Sequence, residues 1–270
     1  MTTPLDRLVS LLGMEMLEEN LFRGHSQDLG FPQLYGGQVL GQALSAASQT
    51  VDPARRVHSL HGYFLRPGDA RHPVVYQVDR VRDGGSFTTR RISAIQHGKT
   101  IFFCSASFHG EEPGYHHQCS MPDVPLPEEL IERGDTKVQR FEGHPVEFLH
   151  LPDDTNVPPR KRLWFRLAGE LPDEPALHRY LLAYSSDFNL LTTSLVPHGT
   201  RFGDPKLQIA SLDHALWFHR DVKINEWLLY DMDSPWAGGA RGFSRGSLYD
   251  AQGYLVASST QEGLIRMREE

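Results

Sequence analysis

The segment LHRYLLAYSSDFNLL, residues 177–191, carries a carboxylate in a position that is costly for one. At helical spacing Leu177, Tyr180, Leu181, Tyr184, Phe188 and Leu191 form an apolar stripe. Asp187 follows Tyr180 by seven residues and Tyr184 by three, so it points from that stripe and not from a wet face. A carboxylate held there either finds partners or is harder to ionise, because burying an unpaired charge is unfavourable. That environment suits a general base. The same spacing also fits a helix-end aspartate that caps or pairs locally.

The elements that must position Asp187 recur twice along the chain. In the first half, a short amphipathic helix over 5–17 and a strand over 21–25 precede YGGQVLGQALSAASQTV, residues 35–51. There Val39, Leu40, Ala43, Ala46 and Ala47 repeat at helical spacing, and the small residues allow a sheet to approach closely. Strand-like runs follow at 58–65, 73–82, 86–96 and 99–108, with Gly84-Gly85 and His97-Gly98 at hairpin turns. In the second half a strand over 161–167 leads into the helix of Asp187, and strands follow at 208–219, 226–233, 241–250 and 254–267. Ser59-Leu60 matches Ser211-Leu212, Gly84-Gly85 matches Gly238-Gly239, Gly98 matches Gly253, and Ser105 matches Ala257-Ser258. The offset stays near one value, as expected of an internal duplication. Between the copies lies a stretch with Pro113, Pro122, Pro125, Pro127 and Pro145, read as a linker with two weak helical patches. The expected organisation is an N-terminal module over 1–112, a Pro-rich linker over 113–155 and a C-terminal module over 156–270.

Composition narrows the function. The 270 residues carry a formal charge of -7 with no basic run, which argues against nucleic acid as partner. No apolar run approaches membrane-spanning length, so no membrane partner is expected. Two cysteines, Cys104 and Cys119, cannot build a disulfide framework, and Cys104 in IFFCSASF reads as core packing. The N-terminal segment lacks the order of a signal peptide, and IRMREE at the end is neither a lipidation nor a peroxisomal signal. A cytoplasmic location is expected.

The runs LYGGQVLGQAL, HSLHGYFLRPGD, YSSDFNLL, QIASLDHALWFHR, NEWLLY and VASSTQEGLIR resemble the acyl-CoA thioesterase II family over nearly the whole chain. The resemblance implies an α+β double hotdog, two tandem modules in which a long helix is wrapped by antiparallel sheet, with the two sheets joined edge to edge. It implies hydrolysis of acyl-CoA to free fatty acid and CoA without cofactor or metal, by a homo-oligomer (dimer or tetramer). It carries the family's catalytic residues onto Asp187, onto Ser211 in QIASLDHA, where the bacterial pattern has Thr, and onto Gln261 in VASSTQEG. An acid-base carboxylate, a hydroxyl and an amide can together fix and activate one water for attack on a thioester. Taken singly, Ser211 could be a turn serine and Gln261 could satisfy buried backbone groups. Backbone N–H groups at Gly36-Gly37 are candidate oxyanion donors, and close helix–sheet packing explains the pair equally well.

Other signals are weaker. Phe64, Tyr184, Phe188 and Trp217 are candidate walls of an acyl tunnel, and Arg66, Arg90, Arg91, Arg241 and Arg245 are candidate CoA phosphate contacts. The residues 242–246, GFSRG, fit G-x-S-x-G but have strand pattern after them and no later His, so they are not a serine-hydrolase elbow. His116, His117 and Cys119 lack metal-ligand spacing. His58, His61 and His214 read as hydrogen-bonded structure, not acid–base groups. Two alternatives stand beside hydrolysis. A non-catalytic acyl-CoA-binding hotdog protein would not need Asp187, Ser211 and Gln261 together. A hydratase would be indicated by a His–Asp pair on one helix, and His178 lies far from the face of Asp187.

Overall fold

The computed structural model describes residues 2–30, 33–134 and 136–268. Thr3 and Asp6 form a reciprocal capping box at the start of helix α1, Pro4–Leu12, which buries Leu5, Leu8, Leu11 and Leu12. The helix stops at Gly13, short of the expected end at residue 17, and the next residues form strand β1, Glu15–Glu18. There follow β2 (Leu21–Gly24), α2 (Gly36–Ser48), β3 (Arg56–Phe64), β4 (Val74–Asp83), β5 (Phe87–Gln96) and β6 (Lys99–His109). The second half holds α3 (Pro127–Arg133), β7 (Gln139–Arg140), β8 (Val146–His150), β9 (Arg160–Leu167) and α4 (Pro175–Ser185). A 3-10 helix spans Leu191–His198, followed by β10 (Leu207–Ser211), β11 (Asp213–Phe218), β12 (Leu228–Gly238), β13 (Arg241–Asp250) and β14 (Leu255–Met267).

All strands form one antiparallel sheet in the order β1-β2-β4-β5-β6-β3-β11-β14-β13-β12-β9-β8-β7, with β10 beside β14. Read outward from its middle, the order β3-β6-β5-β4-β2 is mirrored by β11-β14-β13-β12-β9, so the duplication is visible in the topology. The halves join where β3 pairs with β11, Leu60 opposite Leu216. Helices α2 and α4 pack on each other over the joined sheet, and their buried residues belong to one apolar core that spans both halves. This is the double hotdog that the motifs imply.

The segment 113–155 is more than a linker. Besides α3 it contains β8, whose VEFLH run is buried and pairs with β9, so the second sheet begins before residue 156. Its outer side is covered by a small separate core of Leu130, Leu149, Trp164, Trp227, Leu229 and Tyr249. GFSRG lies wholly within β13, in extended backbone, with no strand-to-helix turn.

Candidate active site

Helix α4 ends at Ser185, two residues before Asp187, and not at 191 as its apolar spacing suggests. Short polar side chains capture the backbone locally here. The Ser186 hydroxyl donates to the Ala183 carbonyl (2.9 Å), and Asn189 takes a left-handed φ of 65°. Asp187 therefore sits in the turn that closes α4, between buried Tyr184 and Phe188, with only 7% of its side chain exposed.

The start of α2 meets this turn. Gly37 donates its backbone N–H to the Asp187 carboxylate. A Cβ on Gly36 would lie 2.8 Å from Asp187 Oδ2 and 3.0 Å from the Phe64 ring, so glycine is what lets the helix end come this near. The positive end of α2 thus faces a negative charge from the other half. Gly37 was a candidate oxyanion donor; its N–H is instead engaged by the carboxylate.

Gln261 on β14 is fully buried and closes the group. Its Nε2 donates to Asp187 Oδ1 at 2.7 Å and to Ser211 Oγ, at the end of β10, at 3.0 Å. Both amide protons are thereby used, which leaves the half-buried Ser211 hydroxyl its own proton to donate. The structure brings Asp187, Ser211 and Gln261 together from a turn and two adjacent strands. Burial pushes the Asp187 pKa up, against the opposing bonds from Gln261 and Gly37.

Sequence reasoning set aside one neighbour of this group. His214, on β11, is fully buried, and its Nδ1 lies 3.8 Å from Asp187 Oδ1. Its Nε2 meets Ser186 Oγ at 2.9 Å, and burial lowers its pKa to about 3, so it is neutral. Inward alternation along HALWF, with His214, Leu216 and Phe218 buried, was the available signal. His214 and Asp187 do not share a helix. The helical His178 is spent on the Pro172 carbonyl and the Ile224 N–H.

The remaining candidates divide. Phe64, Tyr184 and Phe188 border Asp187, whereas Trp217 lies on the other sheet face against His61. Arg90 is buried among first-half groups. Arg91 pairs with Asp79, Arg245 with Asp233, and Arg241 with Glu262. Arg66 is exposed, two residues beyond Phe64, and donates to the Thr100 carbonyl. Among the described residues, the group with metal-ligand geometry is Asp69, His72 and His97, but Arg71 holds both carboxylate oxygens of Asp69.

Comparison with known proteins identifies the family of the whole chain. Residues 135–264 match the sequence profile described as acyl-CoA thioesterase, and residues 26–109 match that of the acyl-CoA thioesterase N-terminal domain. The chain is 39% identical to acyl-CoA thioesterase 2 of Haemophilus influenzae, over 100% of both chains. It is 38% identical to human acyl-coenzyme A thioesterase 8, over 97% of this chain and 89% of that one. Among solved structures, acyl-CoA thioesterase II TesB2 of Mycobacterium marinum superposes with a TM-score of 0.85 at 42% identity, covering 97% of this chain and 99% of that one.

Proposed function

We propose, because this chain belongs to the acyl-CoA thioesterase family, that it hydrolyses acyl-CoA to fatty acid and CoA by direct attack of a water held by Asp187, Ser211 and Gln261. The observation that carries this reading is the bond pattern of Gln261. One amide proton fixes the carboxylate, the other fixes the serine oxygen, and the serine proton is left to grip the lone pair of a water. Asp187 takes a proton from that water as its oxygen adds to the thioester carbon. When the intermediate collapses, the C–S bond breaks and the proton passes from Asp187 to the thiolate sulfur. No acyl group is bonded to the protein at any stage. The site lies between halves, with the α2 start and Phe64 from the first and the reacting side chains from the second. Arg66, exposed and two residues beyond Phe64, is a candidate contact for CoA at such a mouth.

The same reading divides the chain into two hotdog modules, over 1–112 and 156–270, with the intervening segment lending β8 to the second. It places the protein in the cytoplasm as a homo-oligomer. Among the described residues no helix is long and apolar enough to cross a membrane. Rapid-quench mixing with a radiolabelled acyl-CoA tests the mechanism: no label should remain on denatured protein during turnover. A stoichiometric acyl-protein would overturn direct water attack.

A further inference from the structure

Five buried side-chain polar atoms lack a hydrogen-bond partner among the described residues: Ser185 Oγ, His214 Nδ1, Asn225 Oδ1, Ser244 Oγ and Gln261 Oε1. Native interiors leave few such atoms, and each calls for a reason. His214 Nδ1 is the one aimed at the proposed base.

The tautomer of His214 follows from its neighbour. Ser186 spends its hydroxyl proton on the Ala183 carbonyl, so Ser186 Oγ can meet His214 Nε2 only as an acceptor. The ring hydrogen is therefore on Nε2, and Nδ1 is a bare lone pair facing Asp187 Oδ1 across 3.8 Å. Ser186 is itself fixed, since its carbonyl accepts from the Tyr230 hydroxyl at 2.8 Å, which also meets Ser259. The ring is held in place to present an acceptor to an acceptor. That arrangement repels the carboxylate and suits the carboxylic acid.

We propose that His214 Nδ1 is the built-in hydrogen-bond acceptor for the proton that Asp187 takes from water, which makes His214 a positioning residue of the reaction. The inference rests on Asp187 being the base, as argued above. In the resting state the two atoms are too far apart to bond. Once Oδ1 carries the proton, a closure of less than about an ångström brings O–H and Nδ1 to hydrogen-bond distance. The proton stays on Asp187, the imidazole stays neutral, and the bond is released as the proton moves to the departing sulfur. Because the bond forms only after proton transfer has begun, it lowers the barrier and does not tighten substrate binding. Asp187 is faced by the Gly37 N–H from α2, the Gln261 amide from β14, His214 from β11, and the hydroxyls of Tyr35, Tyr184 and Tyr230. Burial pushes all three tyrosines up, so they remain neutral and place no second negative charge beside Asp187; the Tyr35 and Tyr230 hydroxyls donate to the Tyr184 and Ser186 carbonyls.

The test is the pH profile of kcat/KM and the separate kcat and KM of His214→Leu and Ser186→Ala. The first removes the acceptor. The second keeps the ring but frees it to take the Nδ1–H form, which would donate to the carboxylate. Both variants should lose about tenfold in kcat at unchanged KM, at the low end of acid–base effects. In both, the acid limb should move to lower pH, because the carboxylate loses a repelling lone pair. A merely structural His214 would leave the acid limb at its wild-type pH whatever happened to stability, and that result in Ser186→Ala would overturn the inference. Asp187→Asn separates the two claims. If it turns over normally, the base assignment fails; if it is inactive while the acid limbs stay put, only the role of His214 fails.

Discussion

In each half a bulge interrupts the central hairpin beside its turn, at Ala94/Ile95 and at Leu248/Tyr249. Counted from that bulge, Ala106 faces Arg90 in the first half where Gln261 faces Ser244 in the second. The turns after the helices correspond too: Thr50 lies two residues beyond α2, as Asp187 lies two beyond α4. At the first-half position the Arg90 guanidinium is buried and fully occupied. It donates to Thr50 Oγ and O, to the carbonyls of Arg82 and Thr89, and to Asp83. At the second-half position the side chains are shorter, and His214, Ser244 and Gln261 each keep an unmet polar atom. Duplication gave the protein two similar interiors, one closed by a long cation and one left with bonding capacity for a substrate. Unmet groups in a low-dielectric interior are costly, so the proposed site in the second half is held at some expense in stability.

The largest expected effect breaks the pair at its carboxylate. Asp187→Asn should lose about a hundredfold or more in CoA release, while Thr50→Val, at the matching place, should leave kcat unchanged. The same Asp187→Asn variant should be more stable than wild type at neutral pH. Burial raises the folded-state pKa of Asp187 above its unfolded value, so the ionised form penalises folding. The penalty is complete above the folded pKa, shrinks as pH falls through it, and vanishes below the unfolded value. Urea titrations at several pH values check this: a stability gain that persists at acid pH would mean that the effect is not ionic.

Next comes Arg90→Leu, which should cost about 2 kcal/mol, because it strands Thr50 and two backbone carbonyls in the interior. Asp83 is 59% exposed and rehydrates, so no buried charge is left behind. Turnover by the surviving folded protein should match wild type. A fall in kcat comparable to that of Asp187→Asn would show that the first half shares the chemistry, and the comparison would fail.

Much of this is legible in the sequence, and the exceptions have physical causes. The hairpin glycines and the repeated order of helix and strands mark the duplication, because turn chemistry and periodicity are local. The end of α4 was not legible, since Tyr184, Phe188 and Leu191 keep helical spacing through a turn made by Ser186 and Asn189. Strand β8 hides because its five residues, VEFLH, carry Glu147 and His150 among the apolar ones and lie between proline-rich segments, and only pairing with β9 makes it a strand. The sequence match of Leu60 with Leu212 is also displaced. Leu60 pairs with Ala106, so its counterpart is the residue beside Gln261 on β11, which is His214. The break between β10 and β11 at Leu212 causes the slip, and it conceals the histidine nearest the carboxylate. Ser211 and Gln261 came from motif likeness alone, because nothing in local spacing says that a turn and two strands converge.

A smaller effect is expected where the two helices begin. Helix α4 starts on Pro175, which has no N–H to offer, whereas α2 starts on Gly36-Gly37 and donates to Asp187. Gly36→Ala puts a methyl 2.8 Å from Oδ2 and should push the carboxylate off line, costing about tenfold in kcat. KM for a short-chain acyl-CoA should stay as it is. Unchanged kcat would mean that the carboxylate has room to retreat without losing its aim.

The smallest effect sharpens the comparison most, because it concerns a single hydroxyl. Ser244 is fully buried and its Oγ has no partner, whereas its counterpart Arg90 has every donor placed. Removing an unmet hydroxyl relieves its desolvation cost and gives up only a few dispersion contacts, so Ser244→Ala should raise stability by about 0.5 kcal/mol. Urea unfolding of Ser244→Ala beside Arg90→Leu would then show opposite signs at matched positions. A loss of more than about 1 kcal/mol together with a fall in kcat would reverse the reading. The hydroxyl would then be bonded to the amide oxygen of Gln261, the residue directly across the ladder, which also lacks a donor. In that case Ser244 would hold the amide with its protons toward Asp187 and Ser211, and the second half would be less open than its unmet atoms imply.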